Sequence, residues 1–268
     1  MLFEIMLVAG SGALAFALRS FRDPIFFRAG TFGLVGTSFL AGWLIGGSVL
    51  AGFVFASTWF LLPWLEILTR VRRMRLPLDR RVESCPPPAR ARFPNFNDLS
   101  AEMESGGFEY ADDVGWRHDD IRHFYRLFLS PDRKTIGAIC LVEQADFTFY
   151  YISFRSRTCD GRQVVTWNCP FSYGLHQFPG TRLHRVAGEQ SALIGSHAGL
   201  VARELGSDVC AVEPEAVCDE VKRDLRVQLN HNLACGILRL EGTTLIRYTV
   251  RGMFFLWLQF LRDFVRFS

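Results

Sequence analysis

The chain has 268 residues, 30 Lys and Arg against 27 Asp and Glu, and a formal net charge of +3. Almost half of it is hydrophobic (49%), which excludes a disordered or low-complexity protein. Residues 1–81 carry nine arginines against four acids (+5) and residues 245–268 four against one (+3), while residues 82–244 are acidic (−5), so no basic face is expected for a nucleic-acid partner.

The first apolar stretch is Ile5–Leu18. Its only nearby charge is Glu4, and the first basic residue, Arg19, follows it. A cleaved leader has its basic residues in front, so residues 2–18 read as a retained helix. Asp23-Pro24 then has the form of a helix cap and first turn.

From Ala29 to Leu65 there are 37 residues without a charge. As one helix they would run roughly 55 Å, long for a single crossing of a hydrocarbon core of ~30 Å. Folded at Gly46-Gly47 they would make two short crossings. One continuous helix, giving two spans in residues 1–76, is the favoured reading, and a hairpin giving three is the alternative. Gly42 and Gly46 put small residues four apart, a spacing that lets helix backbones approach. This predicts packing on the first helix or an oligomer contact.

Arg70, Arg72, Arg73, Arg75, Arg80 and Arg81 follow the run. Basic flanks stay on the cytoplasmic side. The expectation is an integral protein of a prokaryotic inner membrane with its main domain cytoplasmic.

Residues 77–96 form a linker stiffened by Pro86, Pro87 and Pro88. Residues 97–244 predict an α+β domain. A short helix over Asn97–Ser105 stops at Gly106-Gly107. A meander of five or six strands follows, with Asp160-Gly161 as its clearest hairpin turn. The connections are mostly too short for helical crossovers, so the sheet is expected to be antiparallel, with helices on one side. Two helices are expected after it, Glu189–Leu205 and Pro214–Leu240.

Residues 245–268 predict an amphipathic helix. Arg247, Arg251, Arg262 and Arg266 share one stripe, with Trp257, Phe260 and Phe264 on the other side. Such a helix suits the headgroup plane of an anionic leaflet. Arg70, Arg72, Arg73 and Arg75 belong to the same expected membrane interface.

The seven cysteines show no zinc spacing. In a cytoplasmic domain they are expected to be reduced, and Cys159 and Cys169, flanking one strand, are the pair most able to approach. His118-Asp119-Asp120 with His123 is the densest polar cluster, but neither helix nor strand spacing gathers all four. His197 lies on the apolar face of its helix and reads as a core histidine. Asn230-His231-Asn232 reads as placing a buried amide on the helix seam for helix packing, and Cys140 and Cys235, in apolar contexts, read as core. The loop Cys169–Thr181 is rich in aromatics, and a loop of this kind either caps a core or rims a pocket. In the second case Trp167, Tyr173 and His176 are its ligand contacts. No metal, cofactor or catalytic residue is assigned.

The leading functional expectation is a non-enzymatic, membrane-anchored accessory or scaffold protein that binds lipid and a protein partner or a second copy of itself. The alternative is a membrane-bound enzyme or small-ligand sensor using the 167–181 loop.

Overall fold

The computed structural model describes residues 2–21, 23–144, 147–169, 174–186 and 188–266. The chain divides into two units, residues 1–74 with 248–268, and residues 75–247.

Among the described residues of the first unit, three helices are long and apolar enough to cross a membrane. They are α1 (Leu2–Ser20), α2 (Pro24–Gly46) and α3 (Val49–Thr69). Asp23 caps α2, its carboxylate accepting from the Ile25 N–H at 2.7 Å. The uncharged run is not the continuous helix favoured from hydropathy. Gly47 ends α2 in the left-handed region (φ 63°), and the Ser48 hydroxyl then caps α3 by accepting from the Ala51 N–H at 3.2 Å. A left-handed glycine followed by a serine cap stops one helix and starts another.

The two helices then close on each other through the small residues. A Cβ on Gly42 would lie 2.6 Å from the Ala51 carbonyl oxygen, and one on Gly46 would overlap the Ala51 methyl. Gly42 and Gly46 thus face α3, not α1.

The terminal helix α7 (Val250–Arg266) begins five residues later than expected, because Leu245–Tyr248 is a strand. Leu256 is buried with Ile67 and Val71, and Met253, Trp257 and Phe260 pack around them. The Trp257 indole donates to the Phe60 carbonyl at 2.7 Å, and Phe264 stacks on Trp59 at 5.4 Å. The aromatic face expected to meet headgroups therefore touches α3. Arg251 and Arg262 are exposed. The Arg266 side chain lies outside the described residues.

The second unit is built on a seven-stranded sheet in the order β2-β3-β4-β5-β6-β7-β8. Its strands are β2 (Glu83–Ser84), β3 (Glu109–His118), β4 (Ile121–Leu129), β5 (Ile136–Gln144), β6 (Phe147–Arg157), β7 (Gln163–Trp167) and β8 (Thr181–Arg185). The expected meander is β3 to β7, antiparallel throughout. However, β8 pairs with β7 in parallel. A parallel pair needs a crossover of a dozen or more residues, and residues 168–180 supply thirteen. The aromatic loop is that crossover.

A separate three-stranded sheet, β1-β10-β9, joins β1 (Leu76–Pro77) to β9 (Leu238–Glu241) and β10 (Leu245–Tyr248).

Helices cover both faces of the large sheet, not one. On one face α4 (Phe96–Ser105) and α5 (Gln190–Glu204) enclose Met103, Phe124, Phe128, Ile139, Phe154 and Leu193. On the other, α6 (Val217–Ala234) sets Val217 and Val221 against Leu127, Ile136 and Cys140. Strand β5 is accordingly buried from Ile136 to Val142, as its unbroken apolar run requires. The helix expected over Pro214–Leu240 is shorter, since Gly236 (φ 68°) turns the chain into β9.

Three polar features of this unit lie away from the α6 side of the crossover. Asp119-Asp120 is the two-residue turn between β3 and β4, with Asp119 at φ 49°. His118 and His123 are thereby separated, and His123 stacks on Trp116 at 4.0 Å. On the α4 face, Arg126 grips its cross-strand partner Asp113 with two hydrogen bonds of 2.9 and 2.7 Å and reaches the Ser100 hydroxyl at 3.2 Å. This bidentate pair holds the Arg126 guanidinium further toward its charged form. His197 is buried with Nε2 at 3.1 Å from the Ser156 hydroxyl and Nδ1 at 2.9 Å from Thr166 Oγ1. Burial, together with the nearby His184, lowers its pKa to about 4.

Among the described residues, one cysteine pair departs from the reduced state expected. Cys159 is bonded to Cys210, with Cα atoms 5.5 Å apart, beside the Thr158–Val209 bridge. Cys169 is not its partner. The β7 strand leaves Cys169 buried, while the segment after α5 returns Cys210 to the end of β6.

Two outcomes follow for stability. Asp113→Ala leaves a guanidinium with little exposure and no carboxylate, and is expected to cost about 3 kcal/mol in denaturant titrations. His197 stays neutral in the fold when an unfolded histidine, with its pKa near 6.5, takes up a proton. The unfolded state then binds more protons, so stability falls as pH drops from about 6.5 to 4, by about 3 kcal/mol for this group. His197→Gln is expected to flatten that part of the stability–pH curve.

Candidate functional site

Helix α6 builds the candidate site. Residues four apart share a helix face, and here Glu220 and Asp224 share the face that carries Val217 and Val221. On β6, Arg155 and Arg157 are two apart and so share the face beneath. Arg155 bonds Asp224, and Arg157 bonds Glu220 and, at 3.4 Å, Asp224. These pairs tie the first half of α6 to the sheet.

The second half of α6 holds the crossover instead. Asn232 is completely buried. Its Oδ1 accepts from the His176 N–H at 2.8 Å and its Nδ2 donates to the His176 carbonyl at 2.9 Å. The Gln228 amide donates to the same carbonyl. A side-chain amide thus takes the place of a strand neighbour for one loop residue.

Beneath the crossover, between α6 and the sheet, lies a cavity of about 160 Å³. Trp167, Tyr151, Gln163, Phe178, Leu225 and Gln228 are among its walls. Trp167 is buried and meets Tyr151 edge-on at 5.5 Å. Asn168 follows it and keeps the strand in register, accepting from the Ile152 N–H through its side chain at 2.7 Å.

Gln163 is 4% exposed. Its amide nitrogen donates to Thr181 Oγ1 at 3.1 Å, while its Oε1 is buried with no hydrogen-bond partner. A buried acceptor of this kind costs about 1–3 kcal/mol if nothing donates to it.

The remaining polar groups of the cavity are neutral or paired. Burial pushes the Cys140 thiol up to about 12 and the Tyr151 phenol well above its ordinary range. Neither supplies an anionic nucleophile at neutral pH. The Arg155 charge is met by Asp224.

Of the three residues expected to rim a pocket, Trp167 lines the cavity. Tyr173 lies outside the described residues. His176 is clamped by its backbone, but its ring sits on the outer side of α6. There its Nδ1 is 3.1 Å from His231 Nε2, which in turn is 3.5 Å from Cys235 Sγ. Sequence spacing does not join all three. The i, i+4 spacing of His231 and Cys235 was the available signal, whereas nothing in the sequence marks Gln163.

The clamp has a measurable role. Asn232→Ala is expected to cost about 1–3 kcal/mol of stability and to raise amide exchange at residues 174–178, leaving exchange in β5 unchanged.

No known protein family, curated protein or solved structure matches this chain.

Proposed function

We propose that this is a membrane-anchored small-ligand sensor, binding its ligand in the cavity under the 168–180 crossover. The cavity walled by Trp167, Tyr151, Phe178, Gln163 and Gln228 carries the reading. A half-open, aromatic-walled space with side-chain amides on its walls is matched by a small, largely apolar ligand that also hydrogen-bonds. Arg155 and Asp224 neutralise each other, so the ligand has no net charge to satisfy. The volume admits a compound of only a few heavy atoms. Among the described residues these walls hold no activated nucleophile, which favours binding over catalysis.

A different observation supports the same reading. The chain leaves the helical unit after Met74 and returns to it at Tyr248, so the sensor domain is an insertion rooted at both ends. Such a domain transmits ligand state to helices more directly than one on a single tether.

The domain belongs on the cytoplasmic face in this proposal. With three spans, the α1–α2 corner (Arg19, Arg22, Arg28) and the cluster after α3 fall on one side, and the Gly47-Ser48 turn, without charge, on the other. That asymmetry sets orientation. The Cys159–Cys210 bond weighs the other way, because cytosolic disulfides are rare. In this proposal the reducing poise of the cytoplasm keeps the two thiols apart in the cell, and the bond forms on lysis.

Two measurements test these points. Neutral amides and small alcohols screened by thermal shift on the full-length protein in detergent are expected to include stabilising compounds. The gain is about 2.7 kcal/mol at a hundred times Kd, and Ala138→Phe, which fills the cavity, is expected to abolish it. Stabilisation that survives Ala138→Phe, or none from any compound or cell extract, sinks the sensor reading. For topology, membrane-impermeant thiol reagents applied to intact cells are expected to leave Cys159 and Cys210 unlabelled but labelled after permeabilisation. A bond already formed in acid-quenched cells would place the domain outside.

A further inference from the structure

We propose that His176, His231 and Cys235 form a binding site for a zinc-class divalent ion, separate from the cavity. The ligand atoms come from two elements. His231 and Cys235 project from adjacent turns at the end of α6, and His176 from the crossover. All three ligand atoms lie within 4.8 Å of one another.

The spacings fit tetrahedral coordination. With Zn–N near 2.05 Å and Zn–S near 2.3 Å, the N···N and N···S edges of a tetrahedron are about 3.3 and 3.6 Å. The corresponding distances are 3.1 Å from His176 Nδ1 to His231 Nε2 and 3.5 Å from His231 Nε2 to Cys235 Sγ. A neutral imidazole nitrogen has one proton or one lone pair, so His231 Nε2 cannot satisfy both neighbours equally. A shared cation satisfies all three donors at once.

Three further features support the site. His176 is preorganised, because Asn232 and Gln228 fix its backbone before any ion arrives. The C-terminus of α6, where Cys235 caps the helix by donating to the His231 carbonyl at 2.9 Å, carries the negative end of the helix dipole. The domain is also acidic. Two imidazoles and a thiolate are borderline-soft donors, which select zinc over magnesium or calcium. On binding, the Cys235 thiol loses its proton to solvent and both histidines bind as neutral rings. Three protein ligands leave the fourth position to water or an outside ligand. His176 is exposed, so that position is open to solution.

Cobalt(II) is the probe, titrated into chelator-stripped, full-length protein in detergent under reducing conditions. The expected result is one equivalent bound, with tetrahedral d–d bands and a near-ultraviolet thiolate-to-cobalt band, both displaced by zinc. Cys235→Ser is expected to remove the thiolate band, and His231→Gln to weaken binding by more than about 100-fold. Cys85→Ser is expected to change neither. X-ray absorption of the zinc-loaded wild-type protein, expected to show one sulfur and two imidazole neighbours, covers the case in which a variant fails to fold. Octahedral spectra, a thiolate band that survives Cys235→Ser, or no uptake at micromolar cobalt would overturn the site.

Discussion

The domain depends on how α6 meets the sheet. A helix offers one stripe of residues at i, i+4, and a strand one face at i, i+2. Here the stripe carries two kinds of side chain in sequence. Val217 and Val221 bury against β4 and β5, and Glu220 and Asp224 meet the arginines of β6 beside them. Two turns further on, the stripe changes chemistry again, and Gln228 and Asn232 hold a loop instead of a strand. The helix is held down at one end and props up the crossover at the other. The cavity is the space this leaves.

The crossover explains why polar groups cluster there. A parallel β7–β8 pair obliges the chain to travel the length of β7 outside the sheet. Its backbone amides and carbonyls then need partners that no neighbouring strand provides. Asn232 and Gln228 supply them at His176. The same clamp turns the His176 ring outward to His231 and Cys235, and leaves Gln177 and Phe178 over the cavity. One backbone attachment therefore positions both features.

In the helical unit the governing constraint is close approach. Without a hydrophobic driving force between apolar helices, packing surface decides association. Glycines at 42 and 46 remove the side chains that would hold α2 away from α3. The aromatic side of α7 then gives α3 a second partner, with Trp257, Phe260 and Phe264 engaged against it. The terminal arginines at 251 and 262 are left on the outside.

The amino-acid sequence by itself determined the elements whose signals are local and strong. The helical character of residues 5–18 and 29–65 follows from their apolar runs, the β3–β7 meander from apolar periodicity and turn residues, and the core role of His197 from its place on an apolar helix face. Side-chain chemistry at fixed spacing dictates these before any folding. The tertiary structure decided the rest, because it turns on contacts between distant residues. A glycine and a serine stop a helix at 47–48 that hydropathy alone would continue. Only the pairing of β8 with β7 makes residues 168–180 a crossover. Cys159 meets Cys210 because the segment after α5 returns to β6, 51 residues away in sequence. Likewise His176 reaches His231 across a sequence separation of 55 residues, with Cys235 four residues further on. No spacing rule spans such distances, and the physical cause is the packing of α6 on the sheet.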